Sequence, residues 1–124
     1  MKIKLTLAAL VLCSLLSAQK KKNGTIYIEH PAMDVVEDFN TAFVNGDLEK
    51  IKSLVSDDFS WRNSTMRDKP GTLKQLLRRS NYLSKNIENF EIEHYGGSYP
   101  DAFEYKKDNV LDVKTYTWMT GYDK

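Results

Sequence analysis

The chain has almost no cysteine, because Cys13 is the only one among its 124 residues. Cys13 lies inside an apolar stretch, Leu5–Leu16, which follows a basic start with Lys2 and Lys4. Leu12 is larger than the small residue that precedes a lipidated cysteine, so we do not expect a lipid anchor. Once this stretch is removed, no cysteine is left, which excludes a disulfide framework, a thiol nucleophile and a cysteine metal site.

The apolar stretch and its flanks have the form of a secretory signal. Ser17 and Ala18 supply small side chains that suit cleavage just before Gln19. A buried N-terminal helix, the alternative interpretation, would need a polar face, and Leu5–Leu16 offers none. We therefore predict a signal peptide at residues 1–18, too short to span a bilayer. The mature protein is then secreted or periplasmic and has no stable membrane anchor.

The chain also lacks an excess of either charge. It has 18 lysine and arginine residues against 17 aspartate and glutamate residues. Removal of Lys2 and Lys4 with the signal peptide leaves a slight acidic excess. This balance does not favour a nucleic-acid partner. The basic run Lys20–Lys22 is interpreted as a solvated tail at the new N-terminus.

Histidine is scarce as well, and the two histidines of the chain do not form a metal-ligand pattern. His30 precedes Pro31 in an expected loop, whereas His94 lies far away in an expected strand. No serine stands in a nucleophile-elbow context, and no glycine-rich loop suits a phosphate group. The sequence therefore predicts no metal site and no cofactor.

Two helices joined by a short turn are predicted after a leader segment at residues 19–32. Met33–Asn45 has apolar residues at helical spacing. Gly46 is expected in the left-handed conformation that ends a helix, and Asp47 is expected to cap the next helix. The apolar face of that short second helix consists of Ile51, Leu54 and Val55. Asp57-Asp58 breaks it before a strand that starts at Phe59.

A third helix is predicted after a polar loop. Thr72 and Gln75 form a capping-box pattern at its start. Its core-facing stripe consists of Leu73, Leu76, Leu77, Leu83 and Ile87.

Strands fill the rest of the chain. Ile26–Ile28 is a candidate short strand in the leader, Phe90–Tyr95 alternates as a half-exposed strand, and Gly96-Gly97 marks a bend. Lys106–Asn109 is predicted as a hairpin turn, followed by one long strand, Val110–Thr120, that ends at Gly121. Because the helices come first and the strands follow, the pattern indicates an α+β fold with helices on one antiparallel sheet.

The Gly46-Asp47 joint and the Asp57-Asp58-Phe59 break, in fixed order around amphipathic helices, resemble the nuclear transport factor 2-like superfamily. The resemblance is to its SnoaL-like and ketosteroid isomerase-like branches and covers residues 33–124. It implies a cystatin-like cone, in which three N-terminal helices pack on a curved antiparallel sheet and enclose a pocket.

Members of this superfamily usually continue with two more long strands, which complete the sheet and one wall of the pocket. Here Thr117–Lys124 resembles a strand that runs into a turn, where the sequence stops. We expect an incomplete domain, either a fragment or a truncated product. The alternative is a natural short variant whose exposed edge pairs with another chain, for example as a homodimer through the sheet.

The resemblance does not bring the catalytic residues of the isomerases with it. Those enzymes use an aspartate base and an oxyanion hole formed by a tyrosine and a protonated aspartic acid. The tyrosine position falls on Phe39, the base falls on Asn63, and the third role falls beyond Lys124. Phe39 has no donor, and an amide does not abstract a proton at neutral pH. The related polyketide cyclases also rely on an acid in the missing region.

We therefore predict no catalytic residue, and the only candidates for one are Asp58 and His94. Asp58, between a helix and a strand, is interpreted as a turn or capping group. His94 alternates with Phe90 and Ile92, so it is expected to face inward, where a lone histidine is more often hydrogen-bonded than catalytic.

The aromatic residues are numerous for a small domain, and core packing alone would account for them. The functional interpretation is an apolar pocket with a few polar groups, which suits a small hydrophobic ligand. The favoured function is an exported, non-catalytic domain that binds such a ligand or a partner. The alternative is a SnoaL-like isomerase, cyclase or dehydratase that acts on a small lipophilic substrate. The residues predicted to line the pocket are Phe39, Phe43, Trp61, Asn63, Tyr82, His94, Tyr116 and Trp118.

The signal peptide leads to a prediction about processing. We expect protein recovered from outside the cytoplasm of its native host to begin at Gln19, because signal peptidase cleaves after small residues such as Ala18. N-terminal sequencing and intact mass measure this. Recovery of the chain only from the cytoplasm, with Met1 retained, would contradict it.

Overall fold

The computed structural model of the chain describes residues 22–63, 66, 68–95 and 100–124. The signal peptide predicted at residues 1–18 and the bend predicted at Gly96-Gly97 lie outside the described residues. The described elements are, in chain order, β1 (Gly24–Tyr27), α1 (Pro31–Asn45), α2 (Leu48–Leu54), β2 (Ser60–Trp61), β3 (Gly71–Thr72), α3 (Leu73–Asn86), β4 (Ile87–His94), β5 (Asp101–Tyr105), β6 (Val110–Lys114) and β7 (Thr117–Asp123).

The first helix, α1, begins at Pro31 rather than at the predicted Met33. The reason is a cap that periodicity alone does not reveal: His30 Nδ1 accepts a hydrogen bond from the Ala32 amide at 3.1 Å. The fixed φ of Pro31 also suits the first position of a helix. At the other end, Gly46 has φ 68°, so the predicted left-handed termination is confirmed.

The other two helices start with the predicted caps. The Asp47 carboxylate accepts a hydrogen bond from the Lys50 amide at 3.0 Å at the start of α2. At the start of α3, the Gln75 side chain accepts from the Thr72 amide at 2.9 Å, and the Thr72 hydroxyl accepts from the Gln75 amide. The assignment of Ile87 to this helix is wrong, because its backbone is extended and it opens β4.

The described strands form three antiparallel sheets rather than the one predicted sheet. In the described residues, β1, β5 and β6 form a three-stranded sheet, β2 pairs with β3, and β4 pairs with β7. Because β4 and β5 pair with β7 and β6 respectively, these four strands belong to one long hairpin that turns at Lys106–Asn109. The predicted hairpin turn is thus confirmed, and β1 adds to the β5 edge of the hairpin.

The long strand predicted at Val110–Thr120 is interrupted. The ladder breaks at Thr115-Tyr116, although the Tyr95 amide still donates to the Tyr116 carbonyl at 2.8 Å. The strand also continues past Gly121, which the sequence analysis placed at its end. Gly121 lies inside β7. A glycine suits this position because a Cβ there would collide with the Ile87 side chain of the opposite strand.

The core lies where the helices meet the hairpin. The fully buried cluster consists of Ala42, Phe43, Ile51 and Leu76. Phe43 stacks on Phe39 with ring centroids 6.4 Å apart and meets Phe90 of β4 edge-on at 6.2 Å. The buried Ser80 hydroxyl donates to the Phe43 carbonyl at 2.7 Å and joins α3 to α1. These contacts confirm the α+β class and the packing of helices on antiparallel strands.

Trp118, one of the residues predicted to line the pocket, lies on the outer face of the hairpin. Trp118 is 57% exposed, although it alternates with apolar neighbours in the sequence. Ile92 pairs with Met119, and both line the cleft under the helices, so Trp118 points to the opposite face of β7. On that outer face Trp118 packs against Tyr95 with ring centroids 5.2 Å apart.

Leu76 provides the test of this core. Replacement of Leu76 by alanine removes a buried side chain from the centre of the cluster, so we expect a loss of about 2–5 kcal/mol in the free energy of unfolding. Urea denaturation followed by circular dichroism measures it. Val35→Ala, at an exposed position of α1, is the control and is expected to change stability by no more than about 0.5 kcal/mol. Equal effects of the two substitutions would contradict the described packing.

Candidate functional site

A small cleft of about 240 Å³ lies between the helices and the hairpin, and we call it the aromatic cleft. Its lining residues come from α1, from β2 and the residues just after it, from α3, and from the paired strands β4 and β7. They are Phe39, Asn40, Phe43, Trp61, Asn63, Leu76, Arg79, Ile92 and Met119.

The walls of the aromatic cleft are fixed by secondary structure. Phe39 and Phe43 are one helical turn apart on α1, so their rings lie on the same face. Trp61 is held because its indole Nε1 donates to the Thr72 carbonyl at 3.0 Å. Ile92 and Met119 form a directly opposed pair between β4 and β7. These contacts fix the position of the apolar walls.

Three polar side chains, Asn40, Asn63 and Arg79, interrupt these apolar walls. The Asn63 side-chain oxygen accepts a hydrogen bond from the Met66 amide at 3.1 Å, which orients the side chain. The ion pairs found among the described residues do not include Arg79. A guanidinium group at the margin of an apolar cleft is suited to pair with a carboxylate or another anion.

The structure brings together half of the residues predicted to line a pocket. Phe39, Phe43, Trp61 and Asn63 line the aromatic cleft. Tyr82, Tyr116 and Trp118 do not, and each is more than half exposed. Tyr82 lies on the outer side of α3. Trp118 of β7 and Tyr116, just before β7, are on the face of the hairpin opposite to Met119. The prediction was wrong for these three because aromatic character alone does not indicate which face is covered.

Asn40, Arg79 and Met119 line the aromatic cleft but were not predicted to line a pocket. Asn40 follows Phe39 and lies at the edge of the apolar face of α1. Arg79 is three residues after Leu76, on the same side of α3. These helical spacings are signals that point to both residues. Met119 required the strand register, which the sequence does not give.

His94 lies in a second, larger cleft of about 960 Å³, which we call the acidic cleft. Its Nε2 lies 3.0 Å from Oε1 of Glu37 on α1, so it points to the helical side as expected. It is nevertheless exposed, because it lies at the end of β4 beyond the core, so the prediction of an inward position is only half right. The lining residues are Ile28, Glu29, His30, Pro31, Met33, Asp34, Glu37, His94, Pro100 and Asp101. In the described part of the chain, no group of three or more histidine, cysteine or acidic side chains is arranged to hold a metal ion.

Asp58 lies outside both clefts, in the exposed turn after α2. The Ser56 hydroxyl donates to its carboxylate at 2.6 Å. This bond, with one from the backbone of Asp58 itself, holds the pKa of the carboxyl below its ordinary value. A carboxylate stabilised in this way is a weaker base, and its position is that of a turn group.

The aromatic cleft has the composition of a binding site. Its described lining contains no carboxylate, imidazole, thiol or hydroxyl group. Arginine stays protonated in proteins, so Arg79 does not act as a base. Asn40 and Asn63 donate and accept hydrogen bonds but do not transfer protons at neutral pH. The cleft is therefore equipped to hold an apolar molecule and to orient one polar end of it.

The comparisons with known proteins do not assign this arrangement to a family. No protein-family model, curated protein or solved structure matched the chain. Among the described helices, none has the length and apolar character needed to cross a membrane.

Ser56 offers a test of the Asp58 environment. Replacement of Ser56 by alanine removes the hydroxyl donor, so we expect the pKa of the Asp58 carboxyl to rise towards its ordinary value. In the wild type the folded-state pKa lies below the unfolded value. The stabilisation from Asp58 is thus complete above the unfolded pKa and is lost as pH falls through the folded pKa.

An NMR titration of the Asp58 side-chain carbon measures this pKa. Ser53→Ala is the matched control, because the Ser53 hydroxyl donates to the Lys50 carbonyl instead. An unchanged Asp58 pKa in Ser56→Ala would show that the hydroxyl is not its main partner.

Proposed function

We propose that this chain is an exported, non-catalytic binding domain that takes a small apolar ligand in the aromatic cleft. The observation that carries the proposal is the cleft itself, with aromatic and aliphatic walls, three polar groups and no acid–base side chain among its described lining residues. We propose further that the chain is related to the nuclear transport factor 2-like superfamily in its SnoaL-like branch. The confirmed turn at Gly46 and the capped helices before the hairpin support this relation.

The size and shape of the cleft limit the ligand. Ligand pockets for drug-sized molecules usually have volumes of about 300–1,000 Å³. At about 240 Å³ the aromatic cleft suits a smaller molecule. The rings of Phe39 and Phe43 lie nearly parallel, 17° from coplanar, so together they present a stacked wall to the ligand. A compact, flat or aromatic ligand fits such a wall best.

Arg79 suggests that the ligand carries an anionic end. It is the one charged residue among the described residues that line the cleft. A hydrogen bond to a charged group is worth about 1.5–3 kcal/mol, more than a bond between neutral groups. Asn40 and Asn63 add neutral donors and acceptors to the same cleft. We therefore propose a small aromatic or apolar carboxylate as the ligand class.

The alternative, a SnoaL-like enzyme, depends on His94 or Asp58. Neither residue lines the aromatic cleft. His94 has Glu37 beside it, 3.0 Å away, which would orient an imidazole for proton transfer. This pair belongs to the acidic cleft, whose described lining combines Glu29, Asp34 and Asp101 with the apolar residues Ile28, Pro31, Met33 and Pro100. None of its described lining residues is a phenylalanine, tyrosine or tryptophan, whereas Phe39, Phe43 and Trp61 line the other cleft. An aromatic ligand is therefore better accommodated away from the proton-transfer pair, which favours binding over catalysis.

Arg79 leads to a direct test with a matched pair of probes, 1-naphthoate and its uncharged amide, 1-naphthamide. We expect both to bind in the aromatic cleft and to shift the NMR signal of the Trp61 indole. Arg79→Gln is expected to weaken 1-naphthoate binding by roughly tenfold to hundredfold, because the charge-assisted bond is lost, and to leave 1-naphthamide binding nearly unchanged.

The control is Arg78→Gln, which removes the same charge from an exposed neighbouring position that does not line the cleft. Dissociation constants come from NMR titration or isothermal calorimetry. Failure of both probes to shift the Trp61 signal would contradict binding in this cleft. Equal losses in Arg78→Gln and Arg79→Gln would instead contradict the role of Arg79.

A further inference from the structure

The outer strand of the long hairpin has a free edge. Among the described residues, β7 pairs with β4 and with no other strand. A free edge presents unpaired amide and carbonyl groups in a row, which favours pairing with another strand. Three side chains of β7, Trp118, Met119 and Tyr122, are also large, apolar and more than half exposed.

The hydrogen bonds of β7 to β4 identify which backbone groups are free. The Tyr95 amide donates to the Tyr116 carbonyl, and the Lys124 amide donates to the Asn86 carbonyl. In an antiparallel ladder, such hydrogen-bonded positions alternate with positions whose groups point the other way. The ladder has a bulge between Glu88 and Glu91, but the extra residue lies on β4, so Tyr116, Trp118, Thr120 and Tyr122 all direct their backbone groups to β4. The backbone groups of Thr117, Met119, Gly121 and Asp123 therefore point to the free edge.

We propose that a second copy of this chain binds at this edge, with the two β7 strands antiparallel around a two-fold axis at Thr120. This register uses the free backbone groups of both copies. It places Met119 opposite Gly121 and Thr117 opposite Asp123 of the second copy, as hydrogen-bonded pairs. The result is a continuous four-stranded sheet in the order β4, β7, β7, β4.

The side chains of β7 are complementary to themselves in this register. On the outer face, Trp118 lies opposite Tyr122 of the second copy, and Thr120 lies opposite Thr120. Both are positions without ladder hydrogen bonds, where opposed side chains are closest. Aromatic pairs and threonine pairs are favourable across strands, whereas like charges are not. Asp123 faces Thr117 in this register, and no two like charges are opposed along β7.

The side chains of β4 also suit the proposed four-stranded sheet. Glu88, Glu91 and Glu93 of β4 lie opposite Tyr122, Thr120 and Trp118 of the same copy. In the four-stranded sheet these carboxylates flank the aromatic residues on both sides, and those of the two copies are separated by two β7 strands. The outer face would then have an aromatic centre and an acidic rim, as interfaces with an apolar core and a polar edge do.

Thr120 is the position at which to test the proposal. Thr120→Lys sets two ammonium groups opposite each other across the two-fold axis. In its own chain the same lysine lies opposite Glu91, a favourable pair, so the fold is kept. The matched control is Thr25→Lys, because Thr25 lies on another outer strand, β1, and opposite another glutamate, Glu104. Circular dichroism verifies that both variants are folded.

Mass is measured by analytical ultracentrifugation, and amide exchange is measured residue by residue by NMR. We expect the wild type and Thr25→Lys to be dimers and Thr120→Lys to be a monomer. The Met119 and Gly121 amides should exchange at least about tenfold more slowly in the dimer than in the Thr120→Lys monomer.

Three outcomes would overturn the proposal. One is a wild-type monomer at micromolar concentration. Another is an aggregate without fixed stoichiometry. The third is a Thr120→Lys dimer with fast exchange at Met119 and Gly121, which would indicate that the sheets pack by their faces instead of pairing at their edges.

Discussion

The contact between α1 and α3 at Phe43 holds the described core together. The ring of Phe43 packs against Phe39 and Phe90, while its carbonyl accepts the hydroxyl of the fully buried Ser80. One residue thus joins two helices and the first strand of the hairpin. Since Ser80 has no access to water, its hydroxyl would be costly without this acceptor, so the helix pair is specific as well as apolar. The aromatic cleft lies directly beside this contact, and its walls depend on it.

The long hairpin is less covered than the helices. Its helical side is buried by α1 and α3 around Ile92, but every residue of β7 is exposed. Apolar side chains on an uncovered strand lose the stabilisation that burial provides, which amounts to about 1.5–3 kcal/mol for a large residue. A second strand against β7 would recover part of this and satisfy the free backbone groups. Pairing of a second strand at the β7 edge would therefore increase the stability of the hairpin and join two copies of the chain at the same time.

The two clefts differ in the chemistry they offer, although α1 contributes to both. The face of α1 with Phe39 and Phe43 lines the aromatic cleft, and the face with Asp34 and Glu37 lines the acidic cleft. The alternation of His94 with Ile92 predicted a place for His94 among the aromatic residues. In the structure His94 lies two residues beyond Ile92 on β4, beside Glu37 of α1 and away from the rings of Phe39 and Phe43. The proton-transfer groups and the walls with phenylalanine and tryptophan rings are thus in different clefts.

Local sequence accounts for the left-handed turn at Gly46, the caps at Asp47 and Thr72, the hairpin turn and most of each apolar helix face. Val55 and Ile87 are the exceptions, because both were assigned to helical faces and both have an extended backbone. These features depend on residues within a few positions of each other, and their physical causes are local. Four residues of the aromatic cleft were also predicted: Phe39 and Phe43 lie at helical spacing and Trp61 lies at a strand start, whereas Asn63 follows from the resemblance to the isomerases.

Tertiary structure sets which side chains of β7 point towards the helices, where the sheet is interrupted, at Thr115-Tyr116, and that Arg79 and Met119 reach the cleft. Trp118 and Met119 are neighbours of similar apolar character, and a shift of one residue in register exchanges their faces. That register is set by pairing with β4, roughly two dozen residues away, so it is absent from any local pattern.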